Sequence, residues 1–84
     1  MREREIKRVL REVGERIKAR RQAVGLTQEE TAAAAGIDYK RWQRLELGAV
    51  NPTVRTLVRA AEAVGCTVWD LLGSQPSTRV RKNR

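Results

Sequence analysis

The stretch TQEETAAAAGIDYKRWQRLELG, residues Thr27 to Gly48, holds two short helical patterns with only Gly36, Ile37 and Asp38 between them. Each pattern spans about eight residues, too few for a helix to persist alone in water, so both must lean on a shared core. Thr27 with Glu30 three residues later is a capping box that starts the first. Gly36 ends it, at a turn whose positive φ only glycine adopts without cost. Asp38 caps the second, Tyr39 to Leu47, which stops at Gly48. Two helices joined this tightly form a helix-turn-helix unit. The second is loaded with Tyr39, Lys40, Arg41 and Arg44.

The flanking sequence extends the helical reading. Ile6, Val9, Leu10, Val13, Ile17 and Val24 recur at helical spacing and predict a first helix from about Arg4 to Ala23, ended by Gly25. Gly14 falls inside this pattern at a cost of about 1 kcal/mol relative to Ala, which predicts close packing or a kink. After the loop AVNP, Asn51 or Thr53 caps a fourth helix, with Pro52 tolerated in its first turn. Val54, Leu57, Val58, Ala61 and Val64 form its apolar stripe, and Gly65 ends it. Thr67 with Asp70 caps a short fifth helix, VWDLL, whose inward face is assigned to Val68, Leu71 and Leu72. The expectation is an all-α, five-helix domain over residues 1–73, without strands or internal repeats. Residues 74–84, SQPSTRVRKNR, are polar, basic and aperiodic, and read as a disordered basic tail.

Composition narrows the functional classes. The 84 residues include no His and one Cys, so a structural zinc site and an intrachain disulfide are excluded. No cofactor or metal is expected. An enzyme would be left with carboxylate or Lys chemistry, and neither a Gly-rich phosphate loop nor a paired-carboxylate cleft is evident. No apolar run reaches the roughly 18 to 20 residues of a membrane span. The start, MREREIKRVLREVG, lacks the apolar stretch of a signal peptide. A reduced, cytoplasmic setting is expected. The net charge of +8 is uneven: residues 1–25 carry nine Lys/Arg and four Glu (+5), residues 26–73 five and six (−1), residues 74–84 four and none (+4). Basic ends on a small domain favour a polyanionic partner, nucleic acid ahead of membrane.

Several motifs in order make the resemblance specific. Counting from Gln28, the small Ala32 sits fifth and Gly36 ninth, followed by apolar Ile37, Trp42 and Leu45. GLTQEE, AAAAGID, RLELG, NPTVRTL and VWDLL occur in this order along the chain. Over about Val13 to Leu72 the chain resembles the Cro/repressor-type (XRE-like) helix-turn-helix family of phage and bacterial transcriptional regulators, with a lambda-repressor-like DNA-binding fold.

The resemblance implies roles that chemistry can check. The third helix would enter the major groove of double-stranded DNA, with Tyr39, Lys40, Gln43 and Arg44 toward base edges. Lys and Arg can donate to guanine O6 and N7, and Gln can pair with adenine. Lys40 and Arg44 share a helix face at i, i+4. Gln28, at the start of the second helix, would hold a backbone phosphate and brace the recognition helix. Arg41, and Asn51, Thr53 and Arg55 around the start of the fourth helix, are further phosphate candidates. Arg21 and Glu46 match a structural ion pair that locks the recognition helix to the first helix.

Two positions depart from the family pattern. Trp42 stands where Ile or Val is usual, and Thr31 where Leu is usual. The large Trp and the small Thr31 and Ala35 conserve core volume, so Trp42 is expected in the core rather than on DNA. Cys66 takes an apolar core position, a structural thiol rather than a redox sensor. Trp69 points away from the inward face of the fifth helix.

One recognition helix reads only half an operator, so a homodimer on a palindromic site is expected, at least on DNA. Trp69 and Leu72 are the first interface candidates. Ile6 and Leu10, with Val9, in the extension of the first helix are the second. With only a tail after the fifth helix, no separate effector domain is expected. The resulting expectation is a small, nucleoid-associated transcriptional regulator, a repressor, with restriction–modification controller or antitoxin-like roles as variants. The rival is a protein-interaction adaptor or coactivator that uses the same fold without reading bases.

Overall fold

A computed structural model describes residues 2–73, which form five helices: α1 Arg2–Ala23, α2 Gln28–Ala35, α3 Tyr39–Leu47, α4 Val54–Ala63 and α5 Val68–Leu72. The basic tail read over residues 74–84 lies outside the described residues. No strand occurs among the described residues, and no helix there is long and apolar enough to cross a membrane.

Capping chemistry sets the boundaries. Thr27 accepts from the Glu30 N–H while Glu30 accepts from the Thr27 N–H, closing the capping box that opens α2. Thr67 and Asp70 repeat the device at α5. Asp38 accepts from the N–H groups of Lys40 and Arg41 at the start of α3. Of the two candidates for α4, Thr53 is the cap, accepting from the Thr56 N–H at 3.1 Å. Gly36 ends α2 at φ 69°, and bonds from Gly36 and Ile37 back to Ala33 and Ala32 redirect the chain into α3 within three residues. α1 begins at Arg2, two residues before the expected start.

The core is built from Val13, Ile17, Ala32, Ala35, Trp42, Leu45, Ala60, Ala61, Val64 and Leu71. α1 packs on α3 and α5, α2 on α3 and α4, and α4 on α5. Trp42 and Thr31 are both fully buried. The Thr31 hydroxyl donates to the carbonyls of Thr27 and Gln28 and so enters the core satisfied. Cys66 is partly buried against this core, and burial pushes its thiol pKa up, with Asp70 adding and Arg20 opposing.

Gly14 marks a close approach rather than a kink. A Cβ there would meet the Leu45 carbonyl oxygen at 2.6 Å and collide with that of Glu46. The end of α3 thus rests directly on the backbone of α1.

Some apolar residues lie outside the core. Val54 is 73% exposed and Val58 38%, although the α4 pattern placed both on its inward stripe. The buried side of α4 is centred on Ala60 and Ala61 instead, with Leu57 partly buried. Val24 is also exposed at the end of α1. On α5 only Leu71 is fully buried; Val68 is half-buried and Leu72 exposed, because the five-residue helix presents little more than one side chain to the core.

Candidate nucleic-acid interface

The two sides of α3 are chemically opposite. Trp42, Leu45 and Glu46 are buried, while Tyr39, Lys40, Arg41 and Arg44 are exposed and Gln43 is half-buried. The Gln43 amide donates to the Tyr39 hydroxyl at 3.2 Å, one turn apart. Lys40, Arg41 and Arg44 form no ion pair with another described residue. Three unpaired cations on one short exposed helix make a surface for polyanions.

The buried side holds that surface in place through Glu46. Its carboxylate accepts from Arg21 Nε at 2.6 Å, Arg21 Nη2 at 3.1 Å, Gln28 Nε2 at 2.9 Å and Trp42 Nε1 at 2.7 Å. Arg21 lies on α1, Gln28 on α2 and Trp42 on α3 itself, so one carboxylate ties together three helices. Arg21 Nη1 also donates to the Leu26 carbonyl at 2.9 Å, fixing the α1–α2 connection. Burial opposes ionisation of Glu46, but hydrogen bonds from Arg21, Gln28 and Trp42 and the Arg21 charge outweigh it, and the carboxyl is held below its ordinary range. The Glu46 hydrogen bond raises the Arg21 pKa, burial offsets part of the rise, and the carboxylate charge adds to it.

The phosphate candidates fall in different settings. Gln28 is half-buried and shares a cleft of about 370 Å³ with Gln43, Glu46, Arg11 and Lys18. Its amide nitrogen has one hydrogen engaged by Glu46 and a second to donate. Glu29 and Glu30 in the same turn offset the positive end of α2. Arg41, Thr53 and Arg55 are exposed, the Thr53 hydroxyl being occupied with its cap and Thr56. Asn51 is exposed too, and opens onto an apolar groove beside the start of α1.

Of the candidate association residues, Ile6, Leu10 and Leu72 line that same groove, of about 530 Å³. Trp69 is 51% exposed, one turn before Leu72 on α5. Among the described residues no group of His, Cys, Asp and Glu could hold a metal ion.

Sequence reasoning missed the Trp42–Glu46 bond. A signal was present: a buried indole N–H requires an acceptor, and Glu46 lies four residues on along the same face.

The comparisons with known proteins agree with this geometry. A family model described as a helix-turn-helix domain matches residues 12–71. The HTH-type transcriptional regulator y4dJ of Sinorhizobium fredii is 40% identical over 60 residues, 71% of this chain and 78% of that protein. The HTH-type transcriptional regulator DdrOP3 of Deinococcus deserti is 41% identical over 58 residues, 69% of this chain but 45% of that longer protein. Among solved structures, the restriction–modification controller protein C.AhdI of Aeromonas hydrophila superposes with a TM-score of 0.71 at 29% identity, over 74% of this chain and 94% of that one. Its all-α helix-turn-helix fold is the one described above. The capped α2–turn–α3 unit, its cationic outer side and this agreement across most of the chain lead to one conclusion: the protein belongs to the helix-turn-helix domain family, as an XRE-like DNA-binding transcriptional regulator.

Proposed function

We propose that the chain is a sequence-specific repressor that binds a palindromic double-stranded operator as two copies. The observation that carries this reading is the division of α3 between Glu46, bonded to α1 and α2, and the exposed Lys40 and Arg44, which have no described ionic partner. A helix held this way offers base-reading groups in a preset orientation, so little ordering cost remains on binding. Tyr39, Lys40, Gln43 and Arg44 are assigned to base edges. Gln28, Arg41, Asn51, Thr53 and Arg55 are assigned to phosphates, Gln28 passing its second amide hydrogen to DNA while the first holds Glu46. The Arg21–Glu46 pair is assigned a purely architectural role.

It acts by occupying a promoter and excluding polymerase, without catalysis, in the cytoplasm and on the nucleoid of a bacterium. The likeness to a restriction–modification controller supports a role of that kind here, timing expression of a linked gene set; an antitoxin-like role is the variant.

Selection of bound duplexes from a random DNA pool, followed by titration of the winners against scrambled controls, tests the reading. Enrichment of an inverted repeat is the expected outcome. Equal binding to all duplexes at every salt concentration would overturn it and favour the adaptor role.

A further inference from the structure

Tyr39 and Gln43 lie one turn apart on α3, and their polar tips meet on the outer side of the helix, Gln43 Nε2 donating to the Tyr39 hydroxyl at 3.2 Å. Neither side chain bonds any other described residue. Tyr39 is 40% exposed, and Gln43 is half-buried in the cleft it shares with Gln28 and Lys18. The two glutamines of that cleft differ in what holds them. Gln28 is tied to the buried Glu46 carboxylate, whereas Gln43 is held only by a neighbour on its own exposed turn.

We propose that Tyr39 and Gln43 form one reading unit that selects adenine in each half of the DNA site, with Tyr39 orienting the Gln43 amide. The inference rests on the reading of α3 as the base-reading helix, and it names the base that this pair reads. The bond to Tyr39 uses one of the two amide hydrogens. One N–H donor and the Oε1 acceptor are left, side by side on a planar group. Adenine presents the complement in the major groove, an N7 acceptor beside an N6 amino donor. Guanine presents two acceptors, N7 and O6, so Oε1 would face O6 with no hydrogen between them. Thymine O4 or the cytosine N4 amino group would engage only half of the amide. Lys40, Arg41 and Arg44 carry donors alone, so Gln43 brings the one amide acceptor on the outer side of α3.

Tyr39 acts before the base arrives. An exposed glutamine loses rotamer freedom when a base orders it, and the bond to the hydroxyl removes part of that cost in advance. Tyrosine suits the task because its side chain is stiff for its size. The hydroxyl keeps its own hydrogen for an acceptor on the adjoining base pair. The 3.2 Å between the two tips is close to the roughly 3.4 Å that separates successive base pairs. That second contact selects little, because every purine shows an N7 acceptor in the major groove.

The test uses the full chain and the duplex selected from the random pool, with the position read by Gln43 identified as the one whose preference Gln43→Ala relaxes. Adenine is expected there. Replacing it with a purine analogue that lacks the N6 amino group, or with 7-deazaadenine, should weaken wild-type binding about tenfold and leave Gln43→Ala binding unchanged. Tyr39→Phe keeps the ring and the thermal melt, and should reduce preference at the same position by about three- to tenfold. Added to Gln43→Ala, it should change nothing further at that position. Tyr39→Phe and Gln43→Ala effects that add, or that fall on different positions, would show two independent groups and overturn the coupling. Guanine at the Gln43 position, or wild-type preference throughout in Gln43→Ala, would overturn the adenine assignment and leave the repressor reading standing. A chain that selects no sequence at all would overturn both.

Discussion

The indole nitrogen of Trp42 donates to Oε2 of Glu46 at 2.7 Å, linking a fully buried side chain to the carboxylate that joins α1, α2 and α3. Trp42 therefore does two things. Its bulk fills the core beneath α3, and its N–H fixes the carboxylate that Arg21 and Gln28 must reach.

Separating these roles gives the first prediction. Trp42→Phe keeps most of the bulk and removes the donor, and should cost about 1–3 kcal/mol. Trp42→Ala also opens a cavity and should cost about 3–5 kcal/mol. Urea unfolding followed by far-ultraviolet circular dichroism would measure both changes against the wild type. Equal costs for the two variants would show that the bulk contributes nothing beyond the N–H, and a Trp42→Phe protein of wild-type stability would show that the N–H contributes nothing.

The state of Glu46 predicts a pH dependence. Its folded pKa is depressed, so its contribution is complete above the ordinary value near 4.5 and is lost as pH falls through the lower folded value. Stability should fall below about pH 4.5, and Glu46→Gln should flatten that part of the profile while lowering stability at neutral pH. Glu46→Ala strands the Arg21 charge in a largely buried site and should cost about 3–5 kcal/mol. Chemical denaturation from pH 3 to pH 7 reads both effects; parallel wild-type and Glu46→Gln profiles would rule the carboxylate out as the acid-labile group.

Gly14→Ala reverses the usual sign. Alanine improves helix propensity by about 1 kcal/mol in an exposed helix. Here its Cβ meets backbone carbonyls that cannot rotate aside, so α1 and α3 must separate. The expected net result is a loss of about 1–3 kcal/mol in thermal or urea unfolding. A stabilised Gly14→Ala protein would mean that the two backbones are not in contact.

Lys40→Ala and Arg44→Ala should each cost about 1–3 kcal/mol on the selected DNA site and relax preference at one position of each half. Their melting temperatures should stay at the wild-type value, since both side chains are exposed. Titration against single-base variants of the site decides the matter, and unchanged preference in both mutants would remove them from the base-reading set.

Deleting residues 75–84 removes four of the chain's eighteen cations and no acid. Binding should weaken by a similar factor on every duplex, and the dependence of log K on log salt should flatten through loss of counterion release. An identical salt slope would show that this segment does not touch DNA.

What could be read before folding follows the range of each interaction. The starts of α2, α3 and α5 were legible because their caps are made by side chains two or three residues away. The burial of Trp42 was legible from volume, with Thr31 and Ala35 as its counterparts. The exposure of Val54, Val58 and Leu72 was not, because hydrophobic spacing tells which residues share a face and not whether another element covers that face. The same limit hid the groove, which brings Ile6 and Leu10 of α1 beside Leu72 of α5. The Arg21–Glu46 pair came from a family pattern; the Trp42–Glu46 bond was legible from spacing but missed, and the Gln28 donor appears only once α2 meets α3.

The division of α3 has an evolutionary corollary. Residues 42, 45 and 46 secure the helix, while 39, 40, 41 and 44 face outward without a share in the core. Substitutions at the outward positions leave the Glu46 bonds and the indole untouched. On the proposed assignment of Tyr39, Lys40 and Arg44 to base edges, target preference can drift by point mutation without drawing on the stability reserve of a small domain, and a designer could retarget the protein by rewriting those three codons on an otherwise unchanged gene.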